Sequence, residues 1–172
     1  DVTKEYGCLA IMGPNSREYL QRICNEDLSN ESLKFGFSKR LNFNGVECIL
    51  NRITYVGELG FEIYIPYEKM SDIFNKLYVK NGSNSIQLAG YHALNSLRME
   101  KGYLHWGHDI GVEENPFEAG VGFCVNFNKK VSFLGQDALE KKKDSALKKR
   151  KVNFALSNND LLMYHNEPIF FD

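Results

Sequence analysis

The feature that most constrains this chain is an Asn44-Gly45 pair set between two runs of β-forming residues. Asn-Gly supplies the two positive φ angles that a two-residue hairpin turn demands, so the chain is expected to reverse there and pair with itself antiparallel. The run after the turn, Val46 to Val56, predicts a long strand, and Gly57-Glu58-Leu59-Gly60 predicts a second reversal. Beyond it Phe61, Ile63 and Ile65 alternate with Glu62 and Tyr64. A period of two places Glu62 and Tyr64 on the strand face opposite the apolar side chains.

The flanking segments add strands and helices around this meander. Cys8 to Met12 is apolar and closed by Gly13-Pro14, as a buried strand entering a turn would be. Asn15 and Glu18 have the spacing of a capping box, and Tyr19, Leu20, Ile23 and Cys24 follow at helical intervals. Met70, Ile73, Phe74, Leu77 and Tyr78 share one helical face up to Asn81-Gly82, which predicts a core-facing helix. A further helix is expected from about Leu88 to Lys101, stopped by Gly102, with Ala89, Ala93 and Leu97 packed inward and Tyr91, Asn95 and Arg98 on a different face. Downstream the pattern predicts a strand near Phe123 to Phe127, a helix near Gln136 to Lys143 and a strand near Val152 to Leu156. Without a regular βαβ rhythm the fold class is α+β, a mostly antiparallel sheet with packed helices.

Composition narrows the partners. The 172 residues are 43% hydrophobic and 25% charged, the profile of a globular chain that buries one sizeable core. A net charge of −1 gives no overall pull toward nucleic acid or membrane, and no apolar run approaches a membrane span. Lys141 to Lys151 holds seven basic residues in eleven, read as a solvated face that, beside a pocket, would concentrate anionic ligands such as a polyglutamate tail. No aromatic platform is interleaved with these charges, so a nucleic-acid partner is not expected. Cys8, Cys24, Cys48 and Cys124 stand far apart without a CxxC pair, and each is expected to be a small buried hydrophobe. Opening at Asp1 and stopping within the apolar Glu167 to Asp172, the chain reads as an internal fragment.

Two side chains stand out as ligand contacts. Glu62 offers paired acceptor oxygens that match a planar edge with two parallel N–H donors, either a guanidinium or the 2-amino-pyrimidinone edge of a pterin. An exposed strand carboxylate is the ordinary alternative. Arg98 carries a fixed fork of donors suited to carboxylate or phosphate, against the alternative of a salt bridge to Glu62, Glu58 or Glu100. His105-Trp106-Gly107-His108-Asp109 has too few ligands from too short a segment for a metal site, and it is expected to be a loop whose Trp106 packs on a pocket or core. No nucleophilic triad or phosphate-binding glycine loop can be placed.

Three linked segments carry a resemblance. Arg52-Ile53-Thr54-Tyr55-Val56-Gly57-Glu58-Leu59-Gly60-Phe61-Glu62-Ile63 resembles the folate-site segment of the aminomethyltransferase family, which includes glycine cleavage T protein. Leu9 to Ser16 resembles the family's earlier strand and turn, and Ala93 to Tyr103 its central helix. His105 to Asp109, Pro116-Phe117-Glu118-Ala119-Gly120 and Phe133 to Leu139 are more similar to the sarcosine and dimethylglycine dehydrogenases than to T protein. A regulatory subunit of pyruvate dehydrogenase phosphatase shares the same phrases.

The resemblance implies that Glu62 grips the pterin edge of tetrahydrofolate, that Tyr55 lies beside the folate and that Arg98 contacts it. It implies a folate-binding domain over residues 1–150, truncated at its start, and the beginning of a C-terminal β-barrel over 151–172. In such dehydrogenases FAD on an upstream domain, expected to be missing here, oxidises an N-methyl group, and a folate nitrogen then takes up the carbon as methylenetetrahydrofolate. Holding the reactants together is worth roughly several kcal/mol of barrier. Expected partners are a methylated amine reached through the flavin domain and an electron-transfer flavoprotein as acceptor. The family's catalytic aspartate belongs upstream of Leu9 to Ser16 and is not Asp1, so no catalytic residue is assigned and isolated turnover is expected to be weak or absent. Relatives of this type are mitochondrial in animals and cytoplasmic in bacteria.

Overall fold

A computed structural model describes residues 1–81, 86–158, 160–164 and 167–170. It divides into two compact units, Asp1–Leu104 and His105–Asp172. In the first unit the elements are β1 (Tyr6–Met12), α1 (Ser16–Gln21), β2 (Ser38–Phe43), β3 (Val46–Asn51), β4 (Gly60–Pro66), a 3-10 turn at Tyr67–Lys69, α2 (Met70–Asn81) and α3 (Tyr91–Glu100). The strands form one antiparallel sheet in the order β1-β4-β3-β2.

The hairpin forms where Asn44-Gly45 demands it, with φ of 51° and 90° at the two turn residues. Gly45 N–H also donates to Asn42 Oδ1 at 2.6 Å, closing the turn from the strand side. Alternation then sorts the sheet. Leu41, Phe43, Cys48, Leu50, Phe61, Ile63 and Ile65 are buried on one face, together with Leu20 and Ile23 after α1 begins and Ile73 and Leu77 of α2. Each such large side chain contributes about 1.5–3 kcal/mol through removal from water.

β3 ends at Asn51, five residues short of the expected Val56, because the chain leaves the sheet at Arg52. Arg52 exchanges backbone bonds with Phe37 and Gly36, and its Nη1 donates to Leu33 O at 2.8 Å. Residues 53 and 54 then cross the start of β4. A Cβ on Gly60 would lie 2.7 Å from Ile53 O and 2.9 Å from Thr54 Cβ, so only glycine allows that crossing.

Three further expectations fail in this unit. Asn15 caps α1 with φ −94° and ψ 2° and no side-chain hydrogen bond, since that backbone does not aim its amide at the first turn, and Glu18 pairs with Arg22 instead of completing a capping box. α3 starts three residues after Leu88 and turns a different face inward: Arg98 is 2% exposed while Ala93 and Leu97 face solvent, Leu97 at 41%. Arginine can be buried there because its guanidinium is hydrogen-bonded, Nε and Nη2 to Asn95 Oδ1 at 2.8 and 2.6 Å and Nη1 to Tyr103 O at 3.0 Å. Cys24 and Cys48 are buried as expected, but Cys8 is exposed because it projects from the β1 face opposite Leu9 and Ile11. α2 buries Ile73 and Leu77, and the rings of Phe74 and Tyr78 stack at 5.7 Å. Gly82, the expected stop of α2, lies outside the described residues.

The second unit is mostly turns, with α4 at Gln136–Lys143 as expected. The strand expected at 123–127 is instead a 3-10 turn over Gly122–Cys124, and none forms at 152–156. Val, Phe and Leu favour a strand only where a partner supplies the ladder, and at the first of these segments the bonds of Cys124 N to Val121 O and Val125 N to Gly122 O wind the chain locally instead. Cys124 is exposed. Among the described residues of this unit, Ala119 alone is buried.

Candidate functional site

The sheet face opposite the core carries the candidate residue Glu62. Antiparallel register sets Ala10 and Asn51 on either side of Glu62, and Cys8 and Ile49 on either side of Tyr64. Glu62 and Tyr64 are half-buried on this face, two residues apart on β4. Tyr64 Oη donates to Glu62 Oε2 at 3.0 Å, and among the described residues no donor reaches Oε1. That hydrogen bond, then burial and the carboxylate charge, push the Tyr64 phenol up to about 12. Burial first and the Glu62 charge second also raise the Cys8 thiol, against a hydrogen bond with Tyr64.

Tyr55 and Arg98 meet at one anchor. Tyr55 Oη donates to Leu104 O at 2.9 Å, and Arg98 Nη1 donates to the preceding carbonyl, Tyr103 O, at 3.0 Å. The Tyr55 ring also stacks on that of Tyr103, with centroids 6.3 Å apart and planes 11° from parallel. Thr54, next to Tyr55, donates from Oγ1 to Met12 Sδ at 3.7 Å, and Met12 stands on the same sheet face as Glu62. The structure therefore gathers Tyr55 and Arg98 on consecutive peptides and links them to the Glu62 face through Thr54 and Met12.

Sequence reasoning missed three features. Asn95 holds the Arg98 guanidinium from one helical turn back, a spacing of three that was open to inspection. Tyr64 bonds Glu62 at a strand spacing of two, which the period alone indicated. A cavity of about 540 Å³, lined by Leu9, Met12, Tyr19, Val56, Leu77 and Leu97 among others, is made by residues distant in sequence and had no linear signal.

The histidine segment folds on itself. Asp109 Oδ2 accepts the His105 N–H at 2.8 Å, Asp109 Oδ1 lies 3.3 Å from His108 Nδ1, and the two imidazoles stack at 5.7 Å. Trp106 does not pack on a pocket or core as expected: it sits in a tight backbone turn, with Gly107 N–H donating to Ile110 O at 2.7 Å, and is 64% exposed. Among the described residues no group of three or more potential metal ligands converges. The basic run is largely solvated, with Lys149 Nζ 2.6 Å from Glu114 Oε1 and Lys143 over the Phe127 ring at 5.4 Å. No helix among the described residues is long and apolar enough to cross a membrane.

Residues 1–129 match the family described as the GCVT N-terminal domain. A 4-methylaminobutanoate oxidase (formaldehyde-forming) of Paenarthrobacter nicotinovorans is 37% identical over 99% of this chain, which covers 21% of that protein. Mitochondrial dimethylglycine dehydrogenase of Mus musculus is 34% identical over 99% of this chain, covering 20% of its own length. The chain thus spans about a fifth of these curated relatives. In three dimensions it matches the crystal structure of glycine cleavage system aminomethyltransferase T from Bartonella henselae with a TM-score of 0.66 and 29% identity, over 79% of this chain and 36% of that one.

Proposed function

The chain belongs to the GCVT N-terminal domain family, and from that premise we propose that it is the tetrahydrofolate-binding portion of an FAD-linked sarcosine/dimethylglycine dehydrogenase-like enzyme. Its task is to hold tetrahydrofolate where a one-carbon unit from an oxidised N-methyl amine can be captured. Support comes from Glu62, a half-buried carboxylate whose Oε2 is engaged by Tyr64 while, among the described residues, Oε1 lacks a donor. Such a carboxylate fits a ligand edge with two parallel N–H groups, and the 2-amino-pyrimidinone end of tetrahydrofolate has that edge. Tyr55, stacked on Tyr103, lies beside the folate, and Arg98, fixed by Asn95, contacts it. When bound, tetrahydrofolate supplies the nucleophilic nitrogen; these side chains orient it and exclude water. Oxidation is assigned to FAD held outside this chain. Residues 1–150 form the folate-binding domain and 151–172 begin a β-barrel.

The names of the dehydrogenase and oxidase relatives specify methylated amines, which favours a methylated-amine substrate; the acceptor assigned with it is an electron-transfer flavoprotein. The compartment is the mitochondrial matrix in a eukaryote and the cytoplasm in a bacterium. A second reading, an aminomethyltransferase that works on a lipoylated carrier without flavin, is favoured by the structural match to the Bartonella henselae protein. A third is a non-catalytic regulatory relative. Flavin absorbance of the full-length polypeptide that bleaches with sarcosine or dimethylglycine supports the first reading; its absence supports the second, and flavin that neither amine reduces supports the third.

Glu62→Ala tests the site directly. Hydrogen bonds to a charged group are worth about 1.5–3 kcal/mol, so calorimetric titration with 5-formyltetrahydrofolate is expected to show affinity reduced roughly tenfold to a hundredfold. Equal affinity in a folded variant sinks the assignment. This chain alone should give no steady-state methylenetetrahydrofolate.

A further inference from the structure

Glu62 can present two oxygens to a planar ligand edge only if its carboxylate plane is fixed. A glutamate side chain on a sheet face rotates freely about its last bond, because that torsion has no deep wells. The neighbours across the sheet do little to restrain it: Ala10 is a methyl group, and Asn51, whose Oδ1 accepts from Ser38 Oγ at 2.6 Å, makes no hydrogen bond to Glu62 among the described residues. The described contact that can set the plane is the Tyr64 phenol at Oε2. Tyr64 stands on the central part of β4, in register with Cys8 on β1 and Ile49 on β3, so its backbone is paired on both sides and its side chain starts from a fixed place on the face.

We propose that Tyr64 is the positioning residue of the site: its hydroxyl, donating to Oε2, locks the Glu62 carboxylate so that both oxygens meet a ligand edge bearing two parallel N–H donors. This rests on the reading of Glu62 as the group that grips tetrahydrofolate. A carboxylate oxygen has two lone-pair directions, so Oε2 can accept from Tyr64 and from the ligand together. The phenol remains a donor throughout the neutral range, since it ionises only near 12. Tyr64 acts through Glu62 and need not touch the ligand.

The test is calorimetric titration of the full chain with 5-formyltetrahydrofolate, across the parent, Tyr64→Phe, Glu62→Gln and the double variant, with thermal melts to establish folding. Tyr64→Phe should weaken binding roughly threefold to tenfold, the size of one net hydrogen bond. In the Glu62→Gln background the same change should alter affinity by less than about twofold, because the two residues act as a unit. A 2-desamino folate analogue, lacking the paired N–H edge, should bind the parent and Tyr64→Phe alike. A merely structural tyrosine would lower affinity equally in both backgrounds and for both ligands, and that result overturns the proposal. Unchanged affinity in Tyr64→Phe with a loss in Glu62→Gln also overturns it, while leaving the folate site standing. No loss in Glu62→Gln removes the folate reading and the proposal together. Should the phenylalanine variant fail to fold, p-aminophenylalanine incorporated at position 64, which keeps an N–H donor at the reach of the phenol, decides: affinity within about threefold of the parent supports positioning, and a larger loss in a folded protein overturns it.

Discussion

Cys48 faces the core from β3 with 1% of its surface exposed, and burial together with the nearby Glu47 charge pushes its thiol up to about 11 from 9.0. Tyr64 is likewise raised, from 10.0 to about 12. A group whose folded value lies above its unfolded one contributes stability that is full below the unfolded value and lost as pH climbs through the folded one. Both groups therefore place the loss in one alkaline window, from pH 9.0 to about 11 for Cys48 and from 10.0 to about 12 for Tyr64. Urea midpoints measured across this window should fall steadily, and Cys48→Ala should flatten the lower part of the decline. An equal slope in that variant would show that thiol burial is not a source of alkaline sensitivity.

At the scale of elements, the meander and α3 give opposite lessons. Ile63 lies between β1 and β3 with its side chain in the core, so Ile63→Ala should cost about 2–5 kcal/mol in chemical denaturation. Leu97, which helical spacing places inward, is exposed on α3, and Leu97→Gln should stay within about 0.5 kcal/mol of the parent. The sheet was legible because Asn44-Gly45 fixes the turn and a period of two fixes the faces. Neither signal depends on distant contacts. The facing of α3 was not legible, since it is decided by whether the Arg98 guanidinium finds acceptors, and one of these, Tyr103 O, lies beyond the helix. Glu62 stood out by its position in the alternation, whereas the anchoring of Tyr55 at Leu104 O spans 49 residues and left no local mark. The strands expected at 123–127 and 152–156 were read from residue preference alone, which counts for little without a neighbouring strand.

On the scale of the whole molecule, the burial is uneven. The apolar core is assembled within Asp1–Leu104, while the described part of His105–Asp172 buries Ala119 alone. A chain ending at Leu104 should therefore keep a cooperative thermal transition, and it retains both carbonyls that anchor Tyr55 and Arg98. Loss of that transition in the shortened chain would show that residues beyond Leu104 are needed for the core. The turn that organises the sheet also bears on how the molecule ages. In an Asn-Gly pair the glycine nitrogen attacks the asparagine side-chain amide, expels ammonia and leaves a succinimide that opens mostly to isoaspartate. That product would lengthen the backbone within the hairpin and push the β2–β3 register out of step. Here the attacking nitrogen is engaged, because Gly45 N–H donates to Asn42 Oδ1 at 2.6 Å. Asn42 thus guards the chemical lifetime of Asn44, and Asn42→Ala should accelerate deamidation at that site, read as a faster-growing modified peptide by mass spectrometry during storage.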